Sequence, residues 1–399
     1  MNTNELCSKL LSACAGGMSA LRTVVQLVPA GGDGDKVAPP THKDGQYAFE
    51  KRVVEGRADV QTVLLDSVQS QANRFEDALL NAVRSGEIKI PLLQISIPGH
   101  PMLTSLSVPH RVHDAIFRDS TYEGVKFRDS EIGKQMVAAR AWSATGMFQL
   151  CPTALLFGTW DSQSNAGVNS AKFARCLVSE IVGFDAVRGV KTSSRIDPLG
   201  IKSIKGAIFE SKDDQWTLDE AKAVQSKSKQ AQLYKSKGTP AEINHGNIPP
   251  TLTNPETGPG GVTFREARQT AVLSFTQVRK LRFPIAGKES KDLDIAGRSV
   301  VAALGILALA LQIEDGYQLR SRCQLVPRAE PEFEWLGATA SEKDTEKISA
   351  TTAKEALQAL YLKAKGKGLT WREEPLTLEP EEKLVKLVEM SDQSTEVEE

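Results

Sequence analysis

The sequence predicts an α+β fold built on an antiparallel sheet. Three observations carry this: strand-like and helix-like segments are mixed along the chain, no regular βαβ period links them, and no glycine fingerprint opens a helix. With 399 residues and 40% hydrophobic content the chain can bury a sizeable core, in two domains or in one with large insertions.

The elements follow in order. Residues 5–22 read as a short helix broken around Gly16-Gly17, followed by a Gly/Pro-rich loop at 30–45. QYAFEKRVVEG (46–56) reads as a strand ending in a turn, and TVLLDS (62–67) as a second strand close enough to pair with it. Val68, Ala72, Phe75, Leu79 and Ala82 then recur at three- and four-residue spacing, one apolar helical stripe that Ser85-Gly86 ends. EIKIPLLQISIPG (87–99) alternates like a strand, but Pro91 and Pro98 confine it to an edge or a loop. Residues 110–119 and 130–142 are helical by pattern, and ALLFGTW (154–160) reads as an apolar strand. Phe173, Leu177 and Ile181 align on a helix over 171–183, and SIKGAIFE (203–210) is a short strand.

Residues 211–262 are Lys-, Gln-, Ser- and Pro-rich and read as a mobile basic insertion. Order returns at 264–284. The apolar run VVAALGILALAL (300–311) marks a helix over 295–313; its twelve residues fall short of the roughly 20 of a membrane span, so it is read as buried. YQLRSRCQLVP (317–327) reads as one strand, with Leu319, Ser321, Cys323 and Leu325 on one face and Arg320, Arg322 and Gln324 on the other. A linker follows Pro331, then a helix over 352–364.

Charge is unevenly spread. The chain has 49 Lys+Arg and 50 Asp+Glu, a net of -1, yet residues 373–399 alone hold ten acidic and two basic side chains. That leaves a body of net +7 and a tail of net -8, and such a like-charge block is expected to be solvated and disordered. Between Arg188 and Arg282 sixteen basic residues face nine acidic ones, several of them in apolar, structured segments, which is an electrostatic footprint for a phosphate backbone. Cys7, Cys14, Cys151, Cys176 and Cys323 are scattered without a CxxC, which predicts reduced thiols in a cytoplasmic protein. The N-terminus lacks the features of a signal peptide, and no membrane partner is expected.

Signals for catalysis are poor. GxSxG, Walker A and Cys/His family motifs are all missing, so no enzyme and no cofactor are expected. The alternative is a metal-dependent RNase centred on His110, His113 and Asp114, which would need a third convergent ligand. The junction DSVQSQANRFEDAL (66–79) is more informative. Its helix N-terminus, capped by Ser67 or Asp66, suits a phosphate. The RNA-recognition signature of interleaved aromatics is missing, so contacts to a single strand would be dominated by backbone and shape.

THKDGQYAFEKRVVEGR, LLDSVQSQANRFEDALL, PHRVHDAIFRDS, GVNSAKFARCLVSEIVGFDA, KTSSRIDPLGI and FREARQTAVLSFTQVRKLRFP, taken in order, resemble the backbone subunit of type I-G (formerly I-U) CRISPR Cascade complexes, of the RAMP superfamily. The resemblance covers about residues 38–330. It implies an RRM-like (ferredoxin-like) core elaborated into a hand with palm, fingers and thumb, and copies that polymerise along a CRISPR guide RNA as a helical filament. The thumb displaces a guide base at regular intervals, and the remaining bases pair with target DNA. It further implies Cascade partners, a guide-processing fused subunit and a large subunit, with DNA cleavage left to a recruited helicase-nuclease. The domain reading is then an N-terminal extension (1–37), the core (38–330) with the insertion at 211–262 as thumb or DNA-facing element, a linker and helix (331–372), and the acidic tail (373–399). Within the resembling segments, residue type selects Arg52, Ser70, Gln71, Asn73, Arg74, Lys172, Arg175, Lys191, Arg195 and Arg268 as guide contacts. Apolar segments near 88–106 and 150–160 are expected to serve the head-to-tail interface.

Overall fold

The computed structural model describes residues 1–162, 170–212, 215–226, 229–339 and 341–398. Chain contacts divide it into two compact units. The first joins Met1–Asp35, Phe49–Asp185 and Phe264–Glu399; the second joins Lys36–Ala48 and Ala186–Thr263.

In the first unit, among the described residues, nine strands form one sheet. They are β1 (Ala20–Pro29), β2 (Phe49–Val54), β3 (Arg57–Asp66), β4 (Leu177–Phe184), β5 (Glu266–Ser274), β6 (Tyr317–Arg320), β7 (Cys323–Pro327), β8 (Phe333–Leu336) and β9 (Lys343–Glu346). The order is β6-β7-β1-β5-β4-β3-β2, with β8 pairing both β1 and β9, and every pairing is antiparallel. The expected α+β class therefore holds. Glu55 and Gly56 turn the chain between β2 and β3, with Gly56 at a φ of 72° that favours glycine.

Period-two alternation sets the sheet's inner face. Leu21, Val25 and Leu27 of β1 and Ala267, Ala271 and Leu273 of β5 are buried, and Arg22, Arg268 and Thr270 point to the other side. The long helices α1 (Thr3–Ala15), α2 (Val68–Arg84), α3 (Lys291–Asp315) and α4 (Ala350–Gly366) contribute to the same core. In α2 the stripe Ala72, Phe75, Leu79 and Ala82 is buried as its spacing predicts, and Phe75 stacks on Phe157 with ring centroids 6.1 Å apart. α3 is the central helix. It is long and apolar enough to cross a membrane, but it is mostly buried inside the protein. It is packed so closely that a Cβ on Gly305 would lie 2.9 Å from Leu156 Cδ1 and 3.3 Å from Leu273 Cδ1 of β5. All five cysteines are free and buried.

Several sequence expectations are corrected. Residues 171–183 do not form a helix: Phe173, Leu177 and Ile181 are four apart, a spacing that also fits period two, and 177–184 is strand β4. The predicted strand 154–160 is instead a buried helix, Pro152–Phe157, followed by a two-residue strand, Thr159–Trp160; burial on all sides erases the period. The single strand over 317–327 is a hairpin, β6 and β7, turning at Ser321 and Arg322 (φ 58°), and a two-residue turn leaves the alternation unbroken. The supposed extension 1–37 supplies β1, inside the sheet, and the supposed linker supplies β8 and β9. In the segments expected to serve a head-to-tail interface, Ile90, Leu93, Ile95, Leu155 and Phe157 are buried in the chain's own core, while Met102 and Trp160 are exposed.

The acidic tail is also structured. β10 (Leu376–Pro380) joins a second sheet, parallel to Leu93–Ile95 and antiparallel to Ser120–Tyr122, and helix α5 (Glu382–Glu398) follows. Leu376 and Leu378 are buried, so two apolar side chains outweigh the acidic composition around them.

The second unit is larger than the expected insertion: it begins at Ala186 rather than 211 and takes in Lys36–Ala48. It holds short ribbons, among them Thr192–Arg195 with Ile248–Leu252 and Val187–Arg188 with Val262–Thr263. Its buried apolar set is small, including Val37, Tyr47, Ile208 and Val262, while Ile196, Leu199 and Leu252 are exposed.

Candidate nucleic-acid interface

The structure sorts the ten candidate residues into four places. Ser70, Gln71 and Arg74 converge on one carboxylate. Asp66, the last residue of β3, is fully buried beneath the first turn of α2. Ser67 is the N-cap, its Oγ accepting from the Ser70 backbone N–H. Asp66 accepts from Ser70 Oγ (2.8 Å), Gln71 Nε2 (2.7 Å) and Arg74 Nε (2.9 Å), and from Arg320 of β6 (3.3 Å). Asp66 thus already engages the side chains of Ser70, Gln71 and Arg74. Gln71 has no surface to offer a ligand; its Oε1 accepts from Ser179 Oγ and Gln269 Nε2, both at 2.8 Å, deep in the core.

Arg52 and Arg268 lie on the sheet. Arg52 makes a bidentate pair with Glu180 (2.5 and 3.2 Å) and a further contact with Glu50, and these acceptors hold its guanidinium above its usual pKa. Arg268 pairs with Glu266 and lies over the Phe184 ring, 4.4 Å from its centroid. Lys191 and Arg195 belong to the second unit. There Lys191 is exposed, and Arg195 donates to the Gly246 carbonyl (3.0 Å) and the His245 carbonyl (2.6 Å), stapling its ribbon to that loop.

Asn73, Lys172 and Arg175 line one groove, together with Gln69, Ala72, Pro109, His110, Arg111, Gly158, Thr159, Trp160 and Phe173. The cavity measures about 370 Å³. One wall is α2. The opposite wall is the hairpin formed by Thr159–Trp160 and Lys172–Phe173, in which Trp160 pairs with Lys172. Gly158 permits the close packing: a Cβ there would lie 2.9 Å from the Phe173 carbonyl oxygen and 3.1 Å from Arg175 N. Its φ of 78° also favours glycine.

Arg111 anchors the floor. It donates to both Glu76 oxygens at 2.6 Å and to the Gly158 carbonyl at 2.9 Å. This bidentate clamp holds a residue whose φ, 53°, is left-handed. Burial pushes the Glu76 carboxyl up to about 7, with Arg111 pulling the other way. Behind Trp160, Asp161 is buried and pairs with Arg128. His113 sits against this pair, and burial pushes its imidazole down to about 4.

Lys172 and Arg175 contrast with Arg52, Arg74 and Arg268: neither forms an ion pair with a described residue. Lys172 Nζ lies 5.2 Å from the Trp160 ring centroid, a cation–π contact. Arg175 donates from Nε to the Phe157 carbonyl (3.2 Å) and is half-buried. Burial, and then the nearby Arg111 guanidinium, lower its pKa. A partly desolvated cation next to a like charge is relieved by a bound anion, so the groove is chemically suited to a phosphate.

The metal reading does not assemble. Asp114 accepts from the backbone N–H groups of Ile116 and His110, both at 3.1 Å, as a cap. His110 and His113 lie at a 3₁₀ turn, not on one helix face. Among the described residues, no group of three or more His, Cys, Asp or Glu side chains is arranged to hold a metal.

Sequence reasoning missed Trp160 and Arg111 as groove residues, whereas Gln69 lies in the junction it marked for phosphate. Trp160 and Lys172 are cross-strand partners, a pairing that no local pattern reveals.

Residues 21–188 match the model of the family described as CRISPR-associated protein GSU0053 (Cas_GSU0053), and every residue lining the groove lies inside that span. The match suggests a role in CRISPR defence. No curated protein matches the chain.

Proposed function

We propose that the chain is a guide-RNA-binding backbone subunit of a CRISPR surveillance complex, of the type I-G Cascade kind within the RAMP superfamily, with its sheet as an RRM-like core. Copies associate along the guide and leave its bases free to pair with target DNA, alongside other Cascade subunits and a recruited helicase-nuclease. The subunit has no catalytic role. The observation that carries the reading is the groove of Lys172 and Arg175, inside the span matching a CRISPR-associated family. Base pairing supplies sequence specificity, so the protein needs only to neutralise phosphates and fix geometry.

The test is coexpression with a CRISPR array, followed by sizing and analysis of bound nucleic acid. A multi-copy particle containing RNA of uniform length is expected. A monomer with a protein-like absorbance ratio overturns the proposal.

A further inference from the structure

Trp160 is 58% exposed although it borders a cationic groove. Its indole N–H donates to Ser170 Oγ at 3.3 Å, which fixes the ring's orientation. Lys172 Nζ lies over the ring, and Trp160 and Lys172 are directly paired across the hairpin. The aromatic plane is therefore oriented before any ligand arrives, and Lys172 and Arg175, which form no ion pair with a described residue, line the same groove.

We propose that Trp160 is a stacking platform for an unpaired nucleobase whose flanking phosphates lie on Lys172 and Arg175. The inference rests on the RNA-binding reading of the groove and adds a strand preference to it. A base inside a duplex has both faces covered by its neighbours and cannot stack on an indole, whereas a single strand offers a free π-face. Stacking also removes exposed indole surface from water, and the Lys172 cation reinforces the ring from its own side. The chemistry that Trp160 recognises is a planar base with adjacent phosphates, in RNA or in DNA.

The test uses the full chain, freed of copurified nucleic acid, with oligouridine RNA of roughly 12 nucleotides, the matching DNA strand, an RNA duplex of equal length, and inorganic polyphosphate. Trp160→Ala is expected to weaken single-strand binding about tenfold and leave polyphosphate binding unchanged, while Trp160→Phe retains most of the affinity. RNA and DNA strands losing affinity alike would identify a base platform; loss for RNA alone would add ribose recognition at the same ring. Trp160→Ala binding the single strand as tightly as the parent overturns stacking, and equal loss for polyphosphate does so too, because the ring would then merely hold Lys172. The double variant Lys172→Ala/Arg175→Ala separates the two readings: if it also binds RNA normally, the groove itself is not the RNA site.

Discussion

Helix α2 feeds two cationic sites with opposite character. Ser70, Gln71 and Arg74 turn to Asp66, where two guanidinium groups meet a fully buried carboxylate. Gln69 and Asn73 instead face the groove, where Lys172 and Arg175 form no ion pair with a described residue. The first site is electrostatically closed. Its hydrogen bonds continue into the core through Gln71, Gln269, Gln312 and the Tyr317 hydroxyl, at 2.6 to 2.8 Å. The second site is open and its charge is available to a partner. A count of basic residues does not distinguish the two; the position of one carboxylate does.

The largest expected effect breaks the closed site. Asp66→Ala removes the buried carboxylate that Arg74, Arg320 and Gln71 share and should cost about 3–5 kcal/mol, read by urea denaturation. A loss below about 1 kcal/mol would mean that the guanidinium groups find water and that the site is not closed.

The next effect concerns the support behind the open site. The His113 imidazole, ordinarily titrating at 6.5, is pushed down to about 4 by burial, Asp161 opposing and Arg128 assisting. The unfolded chain therefore binds the extra proton first on acidification. The stabilising contribution is complete above pH 6.5 and is lost as pH falls through about 4, on the order of 3 kcal/mol. Glu76, pushed up to about 7, works in the opposite sense, its stabilisation fading as pH rises. The readout is accordingly the stability difference between the parent and His113→Leu, which should change by about this amount between pH 7 and pH 4. A difference that does not vary with pH would show that the imidazole is solvated.

The open site itself should respond in binding rather than in folding. Lys172→Ala and Arg175→Ala are each expected to weaken RNA binding about tenfold and to lower the salt slope by about 1, with unchanged melting temperature. Altered melting with an unchanged slope would recast both as structural. The smallest effect belongs to Arg52. Already held by Glu180 and Glu50, it offers no net charge, and Arg52→Ala should leave the salt slope unchanged. A slope lowered by a full unit would show that RNA displaces Glu180.

The same contrast explains what could be read in advance. The α2 stripe, its Ser67 cap and the apolar helix α3 are local patterns, and they were legible. Residues 171–183 misled because four-residue spacing satisfies both helical and strand periods. Residues 376–378 misled because two leucines among acids become a buried strand only when Leu93–Ile95 lies alongside. For the site, Lys172, Arg175 and Asn73 were legible as residue types. Their separation from Arg74 and Arg52 was not, since it depends on Asp66 and Glu180 reaching those two and not the others.

The sequence by itself determined the α+β class, the core helix and the supply of cations. Those properties follow from composition and from periods a few residues long, which the covalent chain sets. Only the tertiary structure decided which cations remain free, where the N-terminal strand inserts, and that Trp160 stands over Lys172. Each of these depends on pairing between distant residues, and an electrostatic pair is fixed by distance and burial rather than by order along the chain.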